Sequence, residues 1–213
     1  MKLQKKMLLE EYINKLSSEE PTPGGGSAAA LVSSLSSSLS AMMLNLTVGK
    51  KMYESYDDKL KKDIDKTLEK SNEYNELFLD YMDKDEEAFL ILMNAFKLPK
   101  NDDEEKFIRK KEIEKGYEKA LIIPLNLARE SLKFYKEIFT TVKYGNPNLI
   151  SDGGVAAILL YSAIESCMLN VKINLSGITD ESKREDIIKE CNSILEKALN
   201  YKIDIMEIVE SKI

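Results

Sequence analysis

Between Pro21 and Gly49 the chain reads PTPGGGSAAALVSSLSSSLSAMMLNLTVG, without one charged side chain. The span from Ser27 to Leu46 is long enough to cross a bilayer. Seven of its residues are serine, however, so its transfer into lipid is poor. A buried helix suits it better, because Ala28 to Ala30 and the serines keep its surface thin and let other helices approach. Gly153 to Ile164 is a second uncharged stretch rich in small residues. The reading is therefore an all-α antiparallel helical bundle, with these two helices buried at its centre and charged helices around them.

The rest of the chain agrees. Leu3, Met7, Leu8 and Tyr12 predict an amphipathic first helix. Leu60, Ile64, Leu68, Leu77, Phe78 and Tyr81 recur at three and four residues, as do Ile187, Cys191, Ile194, Leu195 and Ala198. No stretch alternates apolar and polar residues for long enough to make a strand. Pro99 and Gly145-Asn146-Pro147 punctuate the pattern, and Pro124 predicts a kink or a helix start. The mixed-sign runs Asp57 to Lys70 and Asp102 to Lys119 read as solvated helix faces. A length of 213 residues suggests one domain, 1–213.

Composition narrows the chemistry. The chain has no histidine, which excludes Ser–His–Asp triads, Cys–His pairs and His-ligated metals. Acid–base work must fall to carboxylates, Lys, Tyr, Cys or the substrate. A net charge of −6 argues against a nucleic-acid partner. Cys167 and Cys191 are too few for a disulfide framework and lie in helical patterns, so they read as reduced core residues of a cytoplasmic protein. The N-terminus lacks the apolar core and cleavage site of a signal peptide, and no membrane association is expected.

Four segments carry candidate chemistry. Gly24, Gly25 and Gly26 open the uncharged helix and expose backbone N–H groups at its positive end. That arrangement is either an anion site or a tight turn, and Ser27 either caps the helix or points at a ligand. Gly24, Gly26 and Ala29 satisfy a relaxed dinucleotide fingerprint, but no strand precedes them and no βαβ unit follows. Gly49, Lys50 and Lys51 suit a helix C-terminus, or a cationic patch for a carboxylate-bearing ligand. In Asp83-Lys84-Asp85-Glu86-Glu87-Ala88-Phe89, Asp85 shares a side with Ala88, Phe89 and Leu92. There it is either part of an exposed acidic face or a carboxyl of raised pKa on an apolar stripe. Ser151 or Asp152 can cap the next helix. Asp152, Ser166, Asn170 and Asn174 form a polar line along it, which either reads a heterocycle edge or fixes helix register.

Together these pieces resemble the formiminotetrahydrofolate cyclodeaminase/methenyltetrahydrofolate cyclohydrolase family, from Pro21 to about Asp180. The matching motifs are PTPGGGSAAAL (21–31), TVGKK (47–51), DKDEEAF (83–89), LPK (98–100), IPL (123–125), SDGGVAA (151–157) and NVKINL (170–175). The resemblance implies a helical homodimer with a folate cleft involving both subunits, and the cyclodeaminase-like unit without a formiminotransferase domain. It implies Asp85 as the catalytic acid/base, Gly24 to Gly26 and Ser27 as the pocket floor, and Lys50 and Lys51 on the glutamate tail. Asp152, Asn170 and Asn174 would contact the pterin or order the site, with Asp152 facing a methenyl cation. The implied substrate is a tetrahydrofolate carrying one or more glutamates, converted without metal or cofactor. The reaction expected first is cyclisation of 5-formiminotetrahydrofolate to 5,10-methenyltetrahydrofolate with loss of ammonia. The alternatives are hydrolysis of that product to 10-formyltetrahydrofolate, and a non-catalytic folate-binding assembly protein.

Overall fold

The computed structural model describes residues 3–213. After a 3-10 turn at Gln4–Lys6 come α1 (Leu9–Leu16), α2 (Gly25–Asn45), α3 (Lys51–Glu54), α4 (Asp58–Phe96), α5 (Asp103–Tyr144), α6 (Ile150–Leu175) and α7 (Glu181–Glu210). No strand occurs among the described residues.

Serine contacts set the directions of the long helices. Ser27 meets Asp85 on α4 while Ser40 meets Ser71, so α2 and α4 are antiparallel. Ser33 meets Ser131 and Ser40 meets Thr141, so α5 runs parallel to α2. Ser36 Oγ donates to the Ala156 carbonyl at 2.7 Å, joining α2 to the antiparallel α6. Ala29, Ala30, Ala156 and Ala157 are buried along these helices, which contact most of the bundle. Small side chains keep the axes close, and the hydroxyls of Ser33, Ser36, Ser37, Ser71 and Thr141 donate to backbone carbonyls. Larger core groups fill the remaining space: Phe78 and Phe134 meet edge to face at 6.0 Å, and Tyr135 stacks on Tyr201 at 5.5 Å.

α2 and α6 are long and apolar enough to cross a membrane, but 61% of the apolar window of α2 and 50% of the window that contains α6 are buried within the bundle. Each nevertheless keeps one apolar edge exposed, with Leu35, Met42 and Leu46 on α2 and Val155, Ile158, Leu169 and Ile173 on α6. Gly49 takes φ 71° just after α2, where the chain reverses toward α3, a conformation that suits glycine. Cys167 and Cys191 are free and buried.

Several local expectations need correction. The first helix is split at Met7 and Leu8, and only Tyr12 of its predicted stripe is fully buried, while Leu3 and Leu8 face outward. Pro124 does not start a helix, because α5 runs through it with the ring in the core. Ser151 and Asp152 do not cap α6. The helix starts at Ile150 behind a 3-10 turn at Pro147–Leu149, and Asn146 caps that turn by accepting from the Asn148 N–H. Asp152 lies in the first turn instead, where its charge still meets the positive end of the dipole.

Ser36 tests the close approach of α2 and α6. Ser36→Leu should destabilise by about 1–3 kcal/mol or more through overpacking, against about 1 kcal/mol for Ser36→Ala. Thermal melts of both variants measure the difference, and equal melting temperatures would contradict the close packing.

Candidate active site

At the N-terminus of α2 the cap residue is Gly24, which has no side chain to satisfy the first N–H groups. Asp85 of α4 supplies that function from another helix. Its Oδ2 accepts from the Ser27 N–H at 3.0 Å. The glycine run does bind an anion, and the anion is the protein's own carboxylate. Gly26 makes the approach possible, since a Cβ there would lie 2.0 Å from Asp85 Oδ1 and 2.5 Å from Cγ.

Asp85 lies in a cavity of about 320 Å³ with Pro21, Thr22, Gly24, Gly25, Gly26, Phe89, Leu92, Ala120, Asn170, Ile173 and Asn174. That volume is within the range of small-molecule sites. Phe89, Leu92 and Ile173 make much of the wall apolar. Burial raises the Asp85 pKa to about 6, against the single N–H bond, which lowers it, and with a further upward push from Glu86.

The neighbouring acids are also accounted for. Asp83 and Glu86 are buried, so this segment is not an exposed acidic face. Asp83 accepts from the Gln4 N–H at 2.7 Å, and Glu86 accepts from Thr22 Oγ1 at 2.9 Å with Lys15 Nζ at 3.8 Å. Behind Asp85, the Ser27 hydroxyl donates to Gln4 Oε1 and lies 3.1 Å from the Tyr12 hydroxyl. Ser27 therefore neither caps α2 with its side chain nor lines the cavity; it ties the N-terminal segment to the back of the site.

On α6 the two readings of the polar line converge. Asn170 Nδ2 donates to the Ser166 carbonyl at 2.8 Å. Asn174 Nδ2 donates to the carbonyls of Asn170 at 2.9 Å and Ala120 at 3.0 Å. The Asn174 bond to Ala120 fixes α6 against α5, while the oxygens of both amides remain as acceptors for a ligand in the cavity they line. Asp152 is not with them, because eighteen residues of helix place it about 27 Å away. Lys50 and Lys51 lie beyond the far end of α2, itself about 30 Å long. The chain thus assembles Asp85, Gly24 to Gly26, Asn170 and Asn174, and leaves Lys50, Lys51 and Asp152 at its opposite end. Sequence reasoning missed Gln4, Tyr12 and Glu86, whose roles depend on contacts across 15 to 79 positions. Among the described residues no group of three His, Cys, Asp or Glu side chains is placed to hold a metal.

The shift at Asp85 has a stability consequence. The unfolded carboxyl titrates near 3.8 and the folded one near 6. Between these values the folded state binds more protons, so its stability falls as pH rises and stays lower above the interval. Asp85→Asn should therefore melt higher than the wild type above pH 6, with the difference shrinking toward pH 4. Melting curves across that range check it, and a pH-independent difference would refute it.

Known proteins resemble this chain over most of its length. Residues 8–193 match the formiminotransferase-cyclodeaminase family. The chain is 36% identical over 205 residues to a methenyltetrahydrofolate cyclohydrolase of Methylorubrum extorquens, covering 96% of this chain and 97% of that one. It is 30% identical over 190 residues to the formimidoyltransferase-cyclodeaminase of Rattus norvegicus, covering 89% of this chain but 34% of that longer protein. The crystal structure of a formiminotetrahydrofolate cyclodeaminase from Thermotoga maritima superposes with a TM-score of 0.84 at 25% identity, covering 97% of each chain. The match over residues 8–193, on an all-helical fold, places the chain in the formiminotransferase-cyclodeaminase family.

Proposed function

We propose that the chain, as one unit over 1–213, interconverts folate one-carbon units in the cytoplasm, with Asp85 moving the proton. The observation that carries this is the placement of Asp85: a near-neutral carboxyl, seated on a helix N-terminus, in a cavity walled by apolar groups and two amides. A carboxyl with a pKa of about 6 can both accept and deliver a proton near neutrality.

In cyclodeamination, 5-formiminotetrahydrofolate enters with its formimino nitrogen protonated. N10 attacks the formimino carbon, forming the new C–N bond. Asp85 takes the N10 proton and returns it to the former formimino nitrogen. The C–N bond to that nitrogen breaks, ammonia leaves, and the positive charge stays on the methenyl bridge. Holding N10 and the carbon in one bound molecule provides much of the acceleration. The mechanism asks nothing of a metal or redox group. A second reading, ring opening of the methenyl cation, is favoured by the 36% match along nearly the whole length of a cyclohydrolase. There Asp85 takes one proton from the attacking water and delivers it to N5 as the N5–carbon bond breaks, while the second proton, on the adduct's hydroxyl, leaves to solvent, giving 10-formyltetrahydrofolate and H+.

The exposed apolar edges of α2 and α6 support a homodimer across that face. In the proposed dimer the two-fold axis runs across these helices, which sets the Asp85 end of one protomer beside the far end of its partner. Such a dimer would bring the partner subunit's Lys50, Lys51 and Asp152 to the mouth of the cavity, which their own protomer does not do.

Two measurements test these readings. Ammonia release from 5-formiminotetrahydrofolate and loss of methenyltetrahydrofolate absorbance above the spontaneous rate separate the two reactions. Asp85→Asn should lower kcat by at least about 100-fold in the active one. Wild-type turnover in that variant would remove Asp85 from the mechanism, and folate binding without turnover by the wild type would leave only a binding protein. Light scattering should give a dimer, and Ile158→Glu should shift it to monomer; a monomeric wild type would refute the shared face.

A further inference from the structure

The first turn of α2 offers few side chains by which it can be held. Gly24, Gly25 and Gly26 have none, and glycine is the residue that leaves a helix start freest to fray. Ser27 is the first residue of the helix with a side chain, and its N–H is the one that Asp85 accepts. Whatever holds the Ser27 hydroxyl therefore holds the donor that faces the acid.

Two residues of the N-terminal segment do so. The Ser27 hydroxyl donates its one proton to Gln4 Oε1, so the Tyr12 hydroxyl at 3.1 Å is the donor to Ser27. All three side chains are buried, and none of them lines the cavity. Gln4 in turn donates its backbone N–H to Asp83, two residues before Asp85 on α4. A closed circuit results, from Asp85 through the Ser27 N–H and hydroxyl to Gln4, then to Asp83 and back to α4. Gln4 is a costly residue here, because its Nε2 is shut off from solvent with no acceptor among the described residues. A methionine would fill similar space without that cost, but it would lose the contact with Ser27.

Resting on the acid/base reading above, we infer that Tyr12 and Gln4 are positioning residues for Asp85, acting through the Ser27 hydroxyl. They pin the glycine turn so that the Ser27 N–H stays on Oδ2 while the carboxyl gains and loses its proton. The other groups around Asp85 act differently. Glu86, next on α4, pushes the Asp85 pKa up. Asp83 and Glu86 are themselves met by Lys5 and Lys15 at 3.9 and 3.8 Å. Burial raises the Tyr12 phenol on α1 and the Cys167 thiol on α6, so both stay neutral where Asp85 titrates. From α2 and α5 the cavity is lined by Gly24 to Gly26 and Ala120. The Ser27 N–H is the contact that lowers the Asp85 pKa, and so favours its ionised form.

The test uses the full chain with Tyr12→Phe, Gln4→Met and Ser27→Ala, which remove the contacts and keep most of the bulk. A weaker N–H bond raises the Asp85 pKa further, so the acid limb of the kcat–pH profile should move up by about half a pH unit or more. KM should not change, because none of the three residues lines the cavity. Tyr12→Phe added to Ser27→Ala should move the limb no further, since Tyr12 acts through Ser27. NMR titration of the Asp85 carboxyl carbon, assigned by its loss in Asp85→Asn, should show the same upward move in the free protein. Melting curves confirm folding; should Gln4→Met fail to fold, Tyr12→Phe carries the comparison. A lower melting temperature with the limb and the carbon titration unmoved would overturn the assignment and leave a structural role only. So would an undiminished effect of Tyr12→Phe in the Ser27→Ala background. If the wild type converts neither folate, the folate reading fails by itself, because the NMR titration still tests the hold on Asp85.

Discussion

The contact between Asp85 and the first turn of α2 ties the fold to the chemistry. A helix that opens with glycines has free N–H groups and no side-chain cap, and a carboxylate on a buried stripe has no cation beside it. Each supplies what the other lacks. The Ser27 N–H bond at 3.0 Å holds the charge, and the absence of a Cβ at Gly26 provides the space. Removing either would expose an unmet polar group on both helices. Since α2 crosses α4, α5 and α6, the same contact also fixes where the walls of the cavity stand relative to the acid.

Much of this was legible in sequence for a physical reason. An uncharged helix of alanine and serine has few stable positions outside the centre of a bundle, and Gly153 to Ile164 has the same constraint. Their contact follows from the need to bury both thin faces together, and its antiparallel direction is fixed by contacts such as Ser36 to Ala156. Asp85 was legible because its spacing to Ala88, Phe89 and Leu92 is local. The fate of Ser27 was not, because its hydroxyl is bound by Gln4 and Tyr12, whose positions depend on how the N-terminal segment folds back. Lys50, Lys51 and Asp152 illustrate the same limit differently. Motif order along a chain says nothing about which end of a long helix a motif occupies, and two helices of this length separate their ends by about 30 Å.

That separation gives the exposed apolar edges of α2 and α6 their meaning. The central helices of a bundle ordinarily have no reason to show Leu35, Ile158 and Leu169 to water. An interface there would cover them and, with its two-fold axis across the helices as proposed, would bring opposite ends of two protomers together. The proposed dimer and the split site are thus linked by one geometric fact.

The missing histidine can now be read as a matter of stability as well as mechanism. Imidazole titrates near neutrality without help from its surroundings. A carboxyl does so only when the fold withholds solvent from its charge, and the fold is less stable for it at every pH above the shift. Here burial raises the pKa, and a single backbone N–H keeps the ionised form accessible. A second N–H bond would lower the pKa and weaken Asp85 as an acid, whereas losing the first would strand the charge. The glycine cap, which leaves one donor aimed at Asp85 and adds no competing side chain, therefore offsets part of the rise that burial causes, which is the balance the proposed role of Asp85 calls for.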